Sequence, residues 1–244
     1  MEKETTCTMR DMVQSNRVEF KKSQLMYLKI KRALDITCSA LGMVVLSPVF
    51  LGAAVAVKLE DPTGRIIYKQ DRIGRSGRPF RLYKFRTMHT DAPELSTHEF
   101  NNAQSYVTRV GRFMRDTSID ELPQLINVLK GDMSLVGPRP LMTRERDVHM
   151  KRFFYGLYQV RPGITGMAQT HGRDEMDDDQ KVEWDREYVQ NISFMLDVRL
   201  LLKTFFKVIK KEGVRDKNCD STAYGLQAQK TLDRVTIKSP KAKK

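Results

Sequence analysis

Residues 36–57 read ITCSALGMVVLSPVFLGAAVAV and contain no charged side chain. This run of about 22 residues has the length of an α-helix that crosses the ~30 Å hydrocarbon core of a bilayer. Both flanks of the run are strongly basic, whereas a spanning helix normally has an excess of Lys and Arg on one side only. A segment that enters the membrane and returns to the same side would remove this conflict.

Ser47 and Pro48 lie at the midpoint of the apolar run. Proline has no backbone donor and its ring clashes with the preceding turn, so the sequence predicts a break or kink there. Each half is then about 15 Å long, which is half of the hydrocarbon core. The pattern favours a re-entrant hairpin, and a single kinked spanning helix or a buried helix of a soluble domain are the alternatives. The late start of the run and the lack of a small-residue cleavage site argue against a signal peptide.

Composition restricts the class of partner. The chain has 244 residues and a formal net charge of +13, which indicates an anionic partner: nucleic acid, a phosphorylated small molecule or anionic lipid. The apolar run favours the last two. Three scattered cysteines argue against a disulfide framework, and the four histidines lack the spacing of metal ligands.

The predicted fold class is α+β and predominantly helical. We expect a re-entrant helix-break-helix hairpin and a small cytosolic domain with a short β-hairpin and interfacial amphipathic helices. The predicted boundaries are a polar and basic segment at 1–30, the membrane hairpin at 31–58, the catalytic domain at 59–212 and a polar, disordered tail at 213–244.

Residues 194–211 are predicted to form a basic amphipathic helix. Spacings of three and four place four cations on one face, with apolar side chains around the rest: Arg199, Lys203, Lys207 and Lys210. Such a helix can lie in a membrane interface. The alternative is a helix packed on the domain core with a solvated basic face.

The segment from Thr108 to Pro140 is dense in residues that could carry chemistry. Asp120 is a suitable N-cap for a helix over Glu121–Lys130 that ends at Gly131. In an alternative register, Ser118 is the cap and Glu121 completes a capping box. Either register places both carboxylates at the positive end of a helix, which favours their ionised form and attracts phosphate groups.

Cations surround this acidic pair in the sequence. Arg109, Arg112 and Arg115 share a helical face, and Arg139 lies between two prolines in a rigid turn. Carboxylates beside arginines suit phosphoryl transfer, because a carboxylate can act as the nucleophile while guanidinium groups bind phosphate oxygens. The simpler alternative is that Asp120 caps a helix and pairs with arginines. Walker, HExxH and GxGxxG motifs are missing from the sequence.

Several motifs together resemble the bacterial sugar transferase family, the monotopic phosphoglycosyl transferases that start glycan assembly on a polyprenol carrier. The similarity runs from Lys31 to about Val208 and resembles the minimal form of the family, without extra N-terminal membrane helices. The matching motifs are KRALDI (31–36), Ser47-Pro48, DPTG (61–64), KQDRIG (69–74), YKFRTM (83–88), RDTSIDELPQLINVLKGDMSLVGPRP (115–140), RPGITGMAQ (161–169), GRDEM, WDREYVQN and SFMLDVRLLLKT.

The resemblance implies an enzyme that transfers a sugar 1-phosphate from a UDP-sugar to polyprenyl (undecaprenyl) phosphate and releases UMP. Asp120 would be the nucleophile that carries a phospho-sugar intermediate, and Glu121 would act as a base or orient the phosphate or Mg²⁺. Both carboxylates are candidate Mg²⁺ ligands. The resemblance also implies phosphate or substrate contacts for a set of cations: Arg115, Arg139, Lys84, Arg86 and Arg161.

The resemblance further implies a re-entrant hairpin that breaks at Ser47-Pro48 and is ordered by Asp35, with Arg32 as its partner. Such a protein would be monotopic in the bacterial inner membrane, with its catalytic domain on the cytoplasmic face. The implied partners are the UDP-sugar, polyprenyl phosphate, anionic lipid and downstream glycosyltransferases of exopolysaccharide or capsule assembly. Nucleic acid is not expected, and a homodimer is one option. The rival functions are a membrane-tethered nucleic-acid binder and a non-catalytic scaffold.

Overall fold

The computed structural model describes residues 18–90, 92, 103–172 and 176–210. Most of the predicted N-terminal segment and the whole predicted tail at 213–244 lie outside the described residues.

The apolar run folds as a bent pair of helices. Helix α1 spans Lys22–Val45 and α2 spans Ser47–Glu60, with a bend of 63° between them. The helices break at the predicted Ser47-Pro48 pair, although the one non-helical residue is Leu46, directly before Ser47. Ser47 and Pro48 instead begin α2, where proline is tolerated because the first helical N–H groups have no intrahelical partner. The first helix also begins earlier than the predicted boundary at residue 31.

Apolar side chains point outward at the bend between α1 and α2. Val44 is 73% exposed and Val45 is 74% exposed. Exposed apolar side chains that lie together in this way are rare on water-soluble proteins and are typical of surfaces that contact a membrane or another protein. Within the described residues, the two helices reach the length and hydropathy of a membrane segment only when they are taken together. The pair therefore has the composition and shape of a membrane segment that is either a broken span or a re-entrant hairpin.

Three polar contacts join α1 to the rest of the protein. Lys31 Nζ lies 2.5 Å from Asp197 Oδ2. Arg32 donates to the Val128 carbonyl at 2.7 Å, and Asp35 accepts from the Leu135 amide at 3.1 Å. The predicted ordering pair thus makes separate contacts: Arg32 binds the end of one helix, whereas Asp35 binds the backbone of a strand.

The predicted β-hairpin is confirmed. Strand β1 (Ile67–Ile73) pairs antiparallel with β2 (Pro79–Phe85), and Ile67 lies opposite Phe85. The turn between them uses Gly77 at φ 72°, a left-handed conformation that glycine adopts without strain. The glycine-rich segment is therefore the hairpin turn.

The remainder of the described chain is mainly helical, with one small parallel sheet. The helix predicted at 194–211 is observed at Phe194–Lys210 and follows a separate helix that ends at Gln190. The elements after the hairpin are α3 (Arg109–Asp116), α4 (Gln124–Lys130), β3 (Ser134–Val136), α5 (Arg146–Phe154), β4 (Gly163–Thr165), α6 (Met167–Gly172), α7 (Asp178–Gln190) and α8 (Phe194–Lys210), with β3 and β4 parallel.

The second strand of the hairpin packs between two hydrophobic clusters. Leu82 of β2 packs with Val128 and Met133, whereas Phe85 of the same strand packs with α2 and with Met114 of α3. Since neighbouring side chains of a strand point to opposite faces, both faces of β2 are covered. This strand is therefore fixed against the helices that flank residues 117–123.

Candidate active site

The acidic pair lies in a tight turn between α3 and α4. Residues Ile119–Glu121 form a 3₁₀ turn that follows Ser118 at φ 57°, a left-handed conformation uncommon outside glycine. Asp120 is 9% exposed. Strained backbone of this kind often occurs at functional sites.

Both predicted capping registers at the acidic pair are wrong. Helix α4 begins at Gln124 after Pro123, so Asp120 is not its N-cap. The Ser118 side chain makes no capping hydrogen bond. Asp and Ser are both favourable N-cap residues, but Ile119 packs against Phe85 and Met114, and this packing favours the tighter 3₁₀ turn. The predicted end of the helix at Gly131 is confirmed, since this residue has φ 92°.

Two cations from different elements contact Glu121. Lys84 Nζ lies 2.9 Å from Glu121 Oε1, and Arg139 Nη1 lies 3.7 Å from the same oxygen. The Glu121 side chain is 11% exposed, so its charge is stabilised by these partners more than by water. The Lys84 pKa is lowered by burial and by nearby Arg139, although Glu121 opposes the shift.

Strand geometry explains why Lys84 reaches the acidic turn. Lys84 and Leu82 are two residues apart on β2 and share one face. Leu82 packs against Val128 of α4, so this face of the strand is directed toward α4. Asn127, which is fully buried, fixes the register by accepting from the Tyr83 amide at 3.0 Å and donating to the Arg81 carbonyl at 2.7 Å.

Arg139 is presented by a turn after β3. Gly137 donates to the Thr165 carbonyl at 2.9 Å, and Arg72 donates to the Pro140 carbonyl at 3.2 Å. Burial and nearby Arg139 lower the Arg72 pKa to about 10. Sequence reasoning did not assign Arg72, although its position within KQDRIG on an alternating strand was the available signal.

Arg115 is placed by α3, which packs against the acidic turn. Its Nε donates to Thr87 Oγ1 at 2.9 Å. The helix can approach this closely because Gly111 has no side chain: a Cβ there would lie 2.1 Å from the Thr87 carbonyl oxygen. Thr87 is a second residue that sequence reasoning did not assign.

Two of the predicted phosphate ligands make other contacts. Arg86 Nη2 lies 3.2 Å from Asp61 Oδ2 in the DPTG turn. Arg161 donates through Nε to the Gly131 carbonyl at 2.9 Å, at the opposite end of α4 from Asp120, and burial lowers its pKa. The structure therefore brings Lys84, Arg139 and Glu121 into direct contact and places Arg86 and Arg161 elsewhere.

The site has the chemistry of a phosphate pocket. Two carboxylates lie next to each other in one turn, and cations from β2 and from the turn after β3 contact Glu121. Cations of this kind can stabilise charge on a transferring phosphoryl group. A carboxylate held among them can remain ionised and act as a nucleophile.

Comparison with known proteins identifies the family. The sequence profile of the bacterial sugar transferase family matches residues 26–211. The chain belongs to this family. The match covers the bent helix pair, the hairpin and every predicted site residue.

Named relatives extend the comparison. The chain is 43% identical over 183 residues to the UDP-glucose:undecaprenyl-phosphate glucose-1-phosphate transferase of Caulobacter vibrioides, covering 71% of this chain and 67% of the relative. It is 41% identical over 194 residues to the UDP-N-acetylgalactosamine-undecaprenyl-phosphate N-acetylgalactosaminephosphotransferase of Aeromonas hydrophila, covering 78% of this chain and 46% of the relative.

A shorter relative is matched over nearly its whole length. The uncharacterized sugar transferase EpsL of Bacillus subtilis is 42% identical over 191 residues, covering 78% of this chain and 92% of the relative. Several other relatives are longer, and the chain spans less than half of their length. The matched region includes the segment of this chain that forms the acidic turn.

Proposed function

We propose that this protein is a phosphoglycosyl transferase that moves a sugar 1-phosphate from a UDP-sugar to undecaprenyl phosphate. The products are undecaprenyl diphosphate sugar and UMP. The observation that carries the proposal is the contact of Glu121 with Lys84 and Arg139, beside Asp120, in a chain of the bacterial sugar transferase family. The names of the relatives support the two substrates.

In the first half-reaction, a carboxylate oxygen of Asp120 attacks the phosphorus that bears the sugar. The bond from this phosphorus to the bridging oxygen of the diphosphate breaks, and UMP leaves with that oxygen. The sugar phosphate is then esterified to Asp120 as an acyl phosphate. Arg139 and Arg115 stabilise the negative charge on the phosphoryl oxygens, because guanidinium groups bind such oxygens in pairs.

In the second half-reaction, an oxygen of undecaprenyl phosphate attacks the same phosphorus. The bond to Asp120 breaks, and the carboxylate returns to its starting state. Both substrates are anionic and use one pocket in turn, so a single cluster of cations serves both steps. Glu121 orients the phosphoryl group or accepts a proton, while Lys84 keeps its carboxylate in place.

Mg²⁺ fits this site as an ion shared with the substrate. The described residues contain no group of three or more His, Cys, Asp or Glu side chains that could hold a metal alone. Mg²⁺ commonly uses one or two carboxylates and completes its shell with phosphate and water, and Asp120 and Glu121 would supply these carboxylates. When bound, the ion would offset the charge of the donor diphosphate.

A location of the site at a membrane surface is supported by the bent helix pair. A hairpin of α1 and α2 that enters one leaflet from the cytoplasmic face would hold the domain where the carrier phosphate lies. Helix α8 supports this placement, because Leu200 packs into the core whereas Phe205 and Phe206 are 59% and 56% exposed. Its four cations would lie near anionic headgroups. The product would then pass to downstream glycosyltransferases.

The test is UMP release by purified protein in detergent or nanodiscs with undecaprenyl phosphate, Mg²⁺ and a panel of UDP-sugars. At least one donor should give carrier-dependent UMP, and Asp120→Asn should abolish it. The matched control is Asp116→Asn, which neutralises a carboxylate in the same segment and should retain activity. Turnover near wild type in Asp120→Asn would exclude Asp120 as the nucleophile, and inactivity with every donor would overturn the proposed function.

A further inference from the structure

Buried side chains outside the acidic turn hold the backbone that presents Arg139. Arg152 on α5 is 3% exposed, and its Nη1 donates to the Arg139 carbonyl at 2.7 Å. One turn earlier on the same helix, His149 Nε2 lies 2.7 Å from the Met142 carbonyl. Because a carbonyl can only accept, Nε2 carries the proton in this contact. Helix α5 therefore fixes the chain on the C-terminal side of β3.

Arg152 is itself fixed by a carboxylate from another helix. Its Nη2 forms an ion pair with Asp185 Oδ2 of α7, and Asp185 is fully buried. One edge of the guanidinium thus binds the Arg139 carbonyl and the other binds Asp185. The planar, rigid fork of arginine suits two partners at a fixed separation, whereas a lysine ammonium would not fix their geometry in this way.

The Arg152–Asp185 ion pair is not expected to contribute much to the free energy of unfolding. Moving both charges out of water is costly, and well-packed apolar residues of similar volume often serve as well or better. The pair does, however, provide a directional donor to one particular backbone oxygen. That oxygen belongs to the residue whose side chain lies 3.7 Å from Glu121.

We propose that Arg152 and Asp185 are positioning residues that aim the Arg139 guanidinium at the acidic turn. Asp185 orients Arg152, Arg152 holds the Arg139 carbonyl, and the Arg139 side chain then meets the phosphoryl group. Neither Arg152 nor Asp185 contacts the substrate in this arrangement. The inference rests on the proposed function, because it assigns Arg139 a role in that reaction.

The test is a double-mutant cycle between the buried pair and Arg139. The pair is replaced by Arg152→Met with Asp185→Leu, which removes both charges together and avoids leaving one unpaired in the core. This variant, Arg139→Met and the triple variant are assayed for UMP release and for thermal unfolding. Tyr188→Phe is the matched control, because it removes a buried hydroxyl that lies 2.9 Å from Asp197 Oδ1 and 3.1 Å from the Val136 carbonyl oxygen without touching Arg139.

The pair variant should fold and lose activity by about tenfold to 10²-fold, as expected for a displaced catalytic group. The triple variant should be no slower than Arg139→Met, since both changes disable the same guanidinium. Tyr188→Phe should shift the unfolding temperature with little effect on turnover. If the pair variant were as active as wild type, or if the losses multiplied in the triple variant, the positioning role would be overturned.

Hydrogen exchange separates this proposal from the proposed function. Peptides covering residues 137–142 should exchange faster in the pair variant than in wild type and the Tyr188→Phe control. This readout needs no activity, so it still decides the positioning role if wild type releases no UMP with any donor. Unchanged exchange in that segment would contradict it. If the pair variant fails to fold, Arg152→Lys replaces it, with faster exchange at 137–142 expected and unchanged exchange again contradicting the role.

Discussion

Lys84 Nζ and Glu121 Oε1 lie 2.9 Å apart and join the second hairpin strand to the acidic turn. The two residues are 37 positions apart in the chain. The contact is mostly shielded from water, since Lys84 is 20% and Glu121 is 11% exposed. Removal of either partner would leave the other charge poorly solvated.

Lys84→Met should lower turnover by about 10²-fold, which is typical for the loss of one preorganised electrostatic contact at a reacting centre. Lys69→Met on the neighbouring strand is the control, because Lys69 is exposed and lies outside the pocket. Steady-state UMP release measures both variants. Equal activity of Lys84→Met and wild type would show that Lys84 has no role in the reaction.

Loss of the proton from Lys84 should also limit the activity of the protein at alkaline pH. Burial lowers its pKa below the ordinary value of 10.5, so the protein loses this positive charge at a lower pH than for an exposed lysine. Lys84→Arg keeps the charge at higher pH, and the alkaline limb of kcat/KM should therefore move upward in this variant. An unchanged limb would show that another group controls the decline.

Gly111→Ala should damage both stability and activity. A Cβ at this position would lie 2.1 Å from the Thr87 carbonyl oxygen, and α3 would have to move away from the segment that follows β2. Overpacking of this kind costs roughly 1–3 kcal/mol, and the movement would also displace Arg115. Gly52→Ala is the matched control, because its Cβ would meet nothing within 4 Å. Gly111→Ala should have a lower unfolding temperature and slower UMP release than Gly52→Ala. Equal values for the two variants would contradict the close approach of Gly111 to Thr87.

The DPTG turn should contribute to stability in a pH-dependent manner. A hydrogen bond from Thr63 and the charge of Arg86 lower the Asp61 pKa below 3.8. The ionised carboxylate therefore stabilises the fold above pH 3.8, and this contribution is lost as pH falls through the folded-state pKa. Asp61→Asn should unfold at a lower temperature than wild type at neutral pH, and the gap should close in acid.

The control for Asp61→Asn is an exposed ion pair in the same region. Asp71 lies 3.9 Å from Arg81, and both side chains are at least 69% exposed. Surface pairs of this kind contribute little, so Asp71→Asn should unfold near the wild-type temperature. A gap for Asp61→Asn that stayed constant down to acid pH would contradict the role of the ionised carboxylate.

Replacing both Ser47 and Pro48 by alanine should favour a spanning helix over the bent pair. Single cysteines at positions 23 and 65 in a cysteine-free background report the side of the membrane by labelling with an impermeant reagent. Wild type should label both positions from the cytoplasmic side, and the double variant should show a fraction labelled on opposite sides. Val49→Ala is the control. Same-sided labelling in the double variant would assign the bend to another cause.

Local signals predicted much of the fold. The uncharged run, the basic flanks and the proline predicted a bent helix pair, and glycines between two β-prone runs predicted the hairpin. The 3₁₀ turn at Ile119–Glu121 and the start of α4 at Gln124 were missed. Both depend on how a turn packs against its neighbours, and composition near a helix end does not encode that packing.

The candidate site was predicted in part because its central residues are adjacent in sequence. Asp120 and Glu121 were identified, but their partners come from distant segments. Lys84 and Arg86 looked equivalent within one motif, although β2 ends at Phe85. Lys84 therefore follows the strand face toward Glu121, whereas Arg86 turns toward Asp61. The buried contact of Arg152 with the Arg139 carbonyl leaves no pattern in one sequence.

The most direct test of the central claim is the mass of the intact protein after rapid mixing with the UDP-sugar and Mg²⁺ alone. The proposed mechanism predicts that wild type gains the mass of one sugar phosphate on Asp120, that UMP appears in equal amount, and that undecaprenyl phosphate removes the adduct. Asp120→Asn should show no adduct. A preparation with proven turnover that never carries the adduct, or carries it on another residue, would contradict the mechanism.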